Sequence, residues 1–139
     1  MEVLQSRADT RSDAYRRNRE AFLAQIALLE EQLAIVNAAG GEKYVARHHE
    51  RGKLMARERI ELLLDRDSPF LEIAPLAAWG TDFTVGASIV SGIGVVSGVE
   101  CVVTANEPTI RGGSVNPYGQ KKTARTMEIC AQNRLPIIN

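Results

Sequence analysis

Apolar residues recur along the first part of the chain at Tyr15, Phe22, Ile26, Leu29, Leu33 and Val36, at spacings of seven, four, three, four and three. That period puts them on one stripe of a helix over residues 12–39, with Arg16, Arg17, Arg19, Glu20, Glu30 and Glu31 on the solvated side. Ser12 or Asp13 is placed to cap its start. Gly40-Gly41 is placed to end it, because glycine takes the left-handed turn that other residues resist. So narrow a stripe calls for a partner surface, on a body elsewhere or on another subunit. Two shorter helices are predicted, over residues 42–51 up to Gly52 and over 56–64, where Ile60, Leu63 and Leu64 form the apolar side. Residues 65–69 read as a turn.

Beyond that turn the period changes from helix to strand. Residues 70–73 are a short strand, 74–87 a connection containing Gly and Pro, and 89–96 and 99–105 two β-rich runs joined by a tight hairpin at Ser97-Gly98. Residues 118–133 return to helix, with Ala124, Met127, Ile129, Cys130 and Ala131 as apolar positions, and 135–138 to strand. A strand–strand–helix–strand order predicts an α/β fold, a sheet with helices packed against it. The final strand has the composition of an interior parallel strand, with nothing after it to cover its edge. The chain is therefore expected to be a fragment of something longer.

Composition narrows the function classes. Lys and Arg number 17 and Asp and Glu 17, a balance that argues against a nucleic-acid protein. The charges are segregated, however. Residues 67–110 hold five acids and no Lys or Arg, whereas residues 111–139 hold five bases against Glu128 alone. That basic segment suits phosphorylated small molecules, and equally a solvated helix face. Cys101 and Cys130 are too few and too far apart for a zinc site, and read as two buried free thiols in a reducing cytoplasm. No signal or transit peptide is evident, and the longest apolar runs fall short of a membrane span, so a soluble, cytoplasmic chain is expected.

The candidate chemistry centres on Arg111, Gly112, Gly113 and Ser114, where a strand runs into a glycine pair and a basic helix start. Paired glycines let the backbone turn sharply and present N–H groups to an anion or a developing oxyanion. They are also what a plain strand-to-helix turn needs. A phosphate loop is excluded, since no Gly-Lys-Ser/Thr follows at the required spacing. His48 and His49 are adjacent, so on a helix they diverge and do not share a metal; they read as helix-surface residues. Lys53, Arg57 and Arg59 suit phosphates, but Glu50, Glu58 and Glu61 offer them surface ion pairs. No catalytic triad or paired carboxylate is legible, so backbone groups are the expected catalysts of any enzyme built on this chain. No catalytic side chain and no metal ligand is assigned.

The stretch ARHHERGKLMARERIELLLDRDSPFLEIAPLAAWG, followed by VSGIGVVSGVECVVTANEPTIRGGSVNPYGQKKTARTMEICAQNRLPII, resembles the carboxyltransferase (β) subunit of biotin-dependent acyl-CoA carboxylases. The resemblance covers residues 46–139, and the earlier helix fits the family's N-terminal extension over residues 1–45. The second pattern is more similar to the methylcrotonyl- and geranyl-CoA carboxylase branch than to the propionyl-CoA branch, in which the loop after the strand usually begins with a DFTV-type sequence. The resemblance implies a crotonase-like (ClpP/crotonase) fold, of which residues 46–139 begin the acyl-CoA-binding N-terminal domain. It implies transfer of a carboxyl group to an acyl-CoA such as 3-methylcrotonyl-CoA. The donor is carboxybiotin, borne by a biotin carboxylase/biotin carrier partner and not by this chain, and self-association as a homo-oligomer is expected in the full-length protein. On the resemblance, Arg111–Ser114 lie beside the acyl-CoA, and Lys121, Lys122 or the Lys53, Arg57, Arg59 group reach CoA phosphates. The family's main oxyanion loop follows the last strand seen here, so the 139 residues alone are expected to be inactive. A related biotin-dependent decarboxylase subunit and a non-catalytic assembly module stand as alternatives.

Overall fold

The computed structural model describes Gln5, Ser6 and residues 8–139, and divides into two compact units, Met1–Gln32 and Leu33–Asn139. A single helix, α1 (Asp13–Asn37), makes up most of the first unit and ends in the second. Ser12 caps it: the Tyr15 N–H donates to Ser12 Oγ at 3.2 Å. No α1 side chain is buried, and Phe22 on the apolar stripe is 69% exposed. The sequence reading found no span long and apolar enough for a membrane. By length and composition alone, one helix within Asp13–Glu50 meets that standard, at a mean hydropathy of 1.3. The exit from α1 also differs in detail from expectation, because Ala39 takes the first left-handed conformation (φ 51°) and Gly41 the next (φ 90°).

In the second unit, α2 (Glu42–Glu50) and α3 (Ala56–Leu63) lead into a sheet of β1 (Leu71–Glu72), β2 (Ile89–Val96), β3 (Val99–Asn106) and β4 (Ile137–Ile138), with α4 (Pro117–Asn133) crossing from β3 to β4. The spatial order is β1-β2-β3-β4. The first three strands are antiparallel, and β4 lies parallel to β3 with Val102 opposite Ile137. This is the predicted strand–strand–helix–strand unit. The hairpin turn has Ser97 at φ 52° and Gly98 at φ 77°, the paired positive angles of a type I′ turn, whose twist matches the strands it joins.

Period-two alternation sorts the strands onto two faces. Val90, Cys101 and Val103 pack with Ala56 and Ile60 of α3 to form the core, bordered by Leu64, Phe70 and Ile138. Gly92 and Gly94 on β2 leave room for this layer, since a Cβ there would fall 2.3 Å from the Phe70 ring and 2.4 Å from Leu64. On the opposite face, α4 lies close to Ile89 and carries a buried stripe of Gly119, Lys122, Thr126 and Cys130. Of the expected apolar positions Cys130 is in that stripe, whereas Ala124 is exposed and Met127 is 40% exposed. The sheet explains the difference. Its face toward α4 bears the Ser91–Thr104 hydroxyl pair (3.2 Å), and small or hydrogen-bonding residues approach it more closely than bulky ones. Both cysteines are free and buried.

Candidate functional site

The 107–116 connection between β3 and α4 begins with a buried carboxylate and ends with a helix cap. Asn116 Oδ1 accepts the Gly119 N–H at 2.8 Å, and Pro117 occupies the first turn, where its missing N–H costs nothing. Between them, Arg111 (φ 49°), Gly112 (φ 67°) and Gly113 (φ 80°) form three successive left-handed residues. The Gly113 and Ser114 amides close this turn on Ile110 O (2.9 Å) and Arg111 O (3.3 Å), and Ser114 Oγ donates to Arg111 O. Among the described residues, the Arg111 and Gly112 amides have no hydrogen-bond acceptor.

Arg111 and Gly112 form one wall of a cavity of about 570 Å³. Another wall comes from α2, through Tyr44, Arg47 and His48, from Arg51 at its C-terminal cap, and from Ala39 and Gly40. Tyr44, Arg47, His48 and Arg51 are spaced three, one and three apart, one face of a helix and its cap. Three arginines thus line one space with a histidine, and among the described residues no carboxylate lines it and none of the three is ion-paired. Such a volume is within the usual range for small-molecule sites, and unpaired guanidiniums match phosphate or carboxylate geometry. Next to the cavity, Arg111 lies 5.9 Å above Phe83, Phe83 lies 5.6 Å from Tyr118, and Lys121 sits 5.4 Å from the Tyr118 ring.

The other residues named from sequence are dispersed. Lys122 is 3% exposed and its ammonium donates to Ile89 O at 2.6 Å and toward Gly86 O at 3.5 Å, so it faces carbonyls rather than solvent. Burial pulls its pKa down to about 8, with the Arg57 charge adding to that and the Glu72 charge opposing it. Arg57 forms a two-pronged pair with Glu72, at 2.6 and 3.0 Å. Lys53 is exposed, and Arg59 is exposed near Asn139. His49 Nε2 meets Glu58 at 2.9 Å and His48 Nε2 donates to Leu54 O at 3.3 Å. The Glu58 carboxyl is held below its usual value first by the Met55 N–H and then by His49.

Residues 47–139 match the carboxyl transferase domain family. The chain belongs to that family. It is 50% identical over 137 residues to the probable biotin-dependent acyl-coenzyme A carboxylase beta2 subunit of Mycobacterium tuberculosis, covering 99% of this chain and 26% of that protein. It is 44% identical over 139 residues to the probable mitochondrial methylcrotonoyl-CoA carboxylase beta chain of Drosophila melanogaster, covering 98% of this chain and 24% of that one. Among solved structures, the beta subunit of Pseudomonas aeruginosa geranyl-CoA carboxylase superposes with a TM-score of 0.87 at 38% identity, over 98% of this chain and 26% of that one. The fold is therefore the carboxyltransferase, crotonase-like one, with the N-terminal helix included. The chain spans about a quarter of the length of the relatives it matches.

The cavity-lining residues that sequence reasoning did not single out are Tyr44, Arg47 and Arg51. Their signal was present as the one-sided spacing along α2. What was absent was any indication that this face meets Arg111, about sixty residues further along.

Proposed function

We propose that this chain supplies part of the acyl-CoA-binding half of a biotin-dependent carboxyltransferase, which moves a carboxyl group onto an acyl-CoA such as 3-methylcrotonyl-CoA. The observation that carries the reading is the cavity lined by Arg47, Arg51 and Arg111 with no carboxylate among the described residues. Its charge suits the phosphates of CoA, the part common to every acyl-CoA. The relatives named as acyl-CoA carboxylase subunits support the same reading. In it, residues 46–139 begin the carboxyltransferase domain and residues 1–45 are an extension. Arg111, Gly112, Gly113 and Ser114 lie beside the acyl-CoA, and Lys121 and Lys53 add positive charge at the exposed approaches. Lys122, Arg57 and Arg59 serve by holding or flanking the scaffold.

Carboxybiotin, borne by a biotin carboxylase/biotin carrier partner, supplies the carboxyl group and a ureido nitrogen that accepts the substrate proton. No biotin contact is assigned to these residues. Their work is binding and orientation: a CoA anchored by its phosphates presents its acyl end at a fixed place, lowering the entropic part of the barrier. A homo-oligomer and a cytoplasmic setting complete the proposal. Glu30 and Glu31, in the C-terminal third of α1, favour an aqueous or protein-covered helix over a membrane span.

The test is reconstitution of the complete carboxyltransferase containing this segment with its biotin-bearing partner, ATP and labelled bicarbonate. Label entering 3-methylcrotonyl-CoA or a related acyl-CoA is the expected result. Stable assembly with the biotinylated partner, but no label in any acyl-CoA, would replace the proposal with the assembly-module reading.

A further inference from the structure

We propose that Glu107 and Thr109 are positioning residues for acyl-CoA, fixing the two walls of the basic cavity against each other. The inference rests on the reading of that cavity as the CoA phosphate site. Glu107 lies just beyond β3, is 4% exposed, and has no ion pair among the described residues. A buried carboxylate without a cation needs several donors to offset its lost hydration. Glu107 has three: Thr109 Oγ1 at 2.6 Å and the Thr109 N–H at 3.0 Å on Oε1, and the Ala56 N–H at 3.3 Å on Oε2.

The direction of the relay follows from proton counting. An ionised carboxylate only accepts, so the single hydroxyl proton of Thr109 points at Glu107. The hydroxyl's lone pair is then turned to the Gly40 N–H, which donates to it at 3.0 Å. Gly40 belongs to the wall at the end of α1, Thr109 to the wall that carries Arg111, and Ala56 starts α3. One carboxylate therefore ties three segments together. The walls also touch directly, since a Cβ on Gly40 would lie 2.3 Å from Thr109 O. Two residues beyond Thr109 begins the left-handed run at Arg111, a conformation that persists only where its surroundings dictate it. The relay provides that dictation, and so holds Arg111 in the wall of the cavity that Arg47 and Arg51 also line.

The experiment is steady-state kinetics of the assembled carboxyltransferase with varied acyl-CoA. Thr109→Val removes the hydroxyl at nearly constant shape, and Thr109→Ser keeps it. The expected result is a KM about fivefold higher in Thr109→Val with kcat within about twofold of the parent, and a KM restored to within about twofold in Thr109→Ser. Glu107→Gln sets an amide donor against the relay's donors and is expected to raise KM at least as much; if it does not fold, the Thr109 pair decides. Equal KM in Thr109→Val and the parent, with only a lower Tm, would make the relay purely structural and overturn the proposal. Arg47→Gln is the control. A raised KM in Arg47→Gln with an unchanged one in Thr109→Val rejects the positioning role alone, whereas an unchanged KM in Arg47→Gln rejects the cavity reading and this inference with it.

Discussion

Lys122 holds a protonated amine among backbone carbonyls, and burial keeps its pKa at about 8 against an ordinary 10.5. The sign of the consequence is fixed by linkage. Below pH 8 folded and unfolded chains are both charged, and the folded state bears the full desolvation cost. Between pH 8 and 10.5 the unfolded chain binds more protons, so stability rises with pH, and above that window the cost is gone. At 1.36 kcal/mol per unit the rise is about 3 kcal/mol. Urea unfolding of the parent and of Lys122→Met at pH 7.5 and pH 10.5 checks this: the gap between them should move in the parent's favour by about that amount, and a gap independent of pH contradicts it. Gly40 makes a second prediction at this scale. Any side chain there meets Thr109 backbone, so Gly40→Ala should cost about 1–3 kcal/mol by overpacking. A denaturation midpoint equal to the parent's would contradict it. Of these two residues the sequence showed little. Lys122 looked like one more cation of a basic helix, and Gly40 like a helix stop, because the partners that define both come from distant segments.

Among the elements, the β2–β3 hairpin was legible, since Ser97-Gly98 accepts the positive φ values that a two-residue turn demands. Its support was not. Asp65, 32 residues earlier, accepts the Ser97 and Gly98 N–H groups at 2.7 Å each, while its own N–H donates to Val95 O at 2.8 Å. A carboxylate holding two turn amides is worth about 1–3 kcal/mol. Asp65→Ala should lower stability by that amount in thermal or urea unfolding, with Asp65→Asn intermediate; a change under about 0.5 kcal/mol in Asp65→Ala would show the turn to be self-sufficient. For α4 the reading of helix type and extent agreed with the structure, but the buried stripe did not. Hydrophobicity pointed to Ala124 and Met127, whereas the side facing the sheet is the one that approaches closely through Gly119 and satisfies carbonyls through Lys122. Periodicity finds an amphipathic helix; it fails where the buried face is polar and internally bonded.

At the scale of the whole molecule, the strand–strand–helix–strand order and the long shared motifs made the fold and the family legible, and the charge segregation after residue 110 pointed to a loop that forms one wall of the cavity. Half of the candidate site stayed hidden, because α2 and its cap contribute Arg47 and Arg51 only once the chain has folded back on the loop. Adding salt should weaken acyl-CoA binding, since the cations lining the cavity are exposed and screened within about 10 Å at 0.1 M ionic strength. A KM for acyl-CoA that does not rise between 0.05 and 0.5 M salt, over which the screening length shortens about threefold, would contradict an electrostatic anchor. The most direct measurement of the central claim is the KM for acyl-CoA of the assembled carboxyltransferase carrying Arg47→Gln and Arg51→Gln together. Loss of two guanidinium–phosphate contacts predicts a KM raised at least about tenfold with kcat within about twofold of the parent. A KM equal to the parent's would contradict the assignment of this cavity to acyl-CoA.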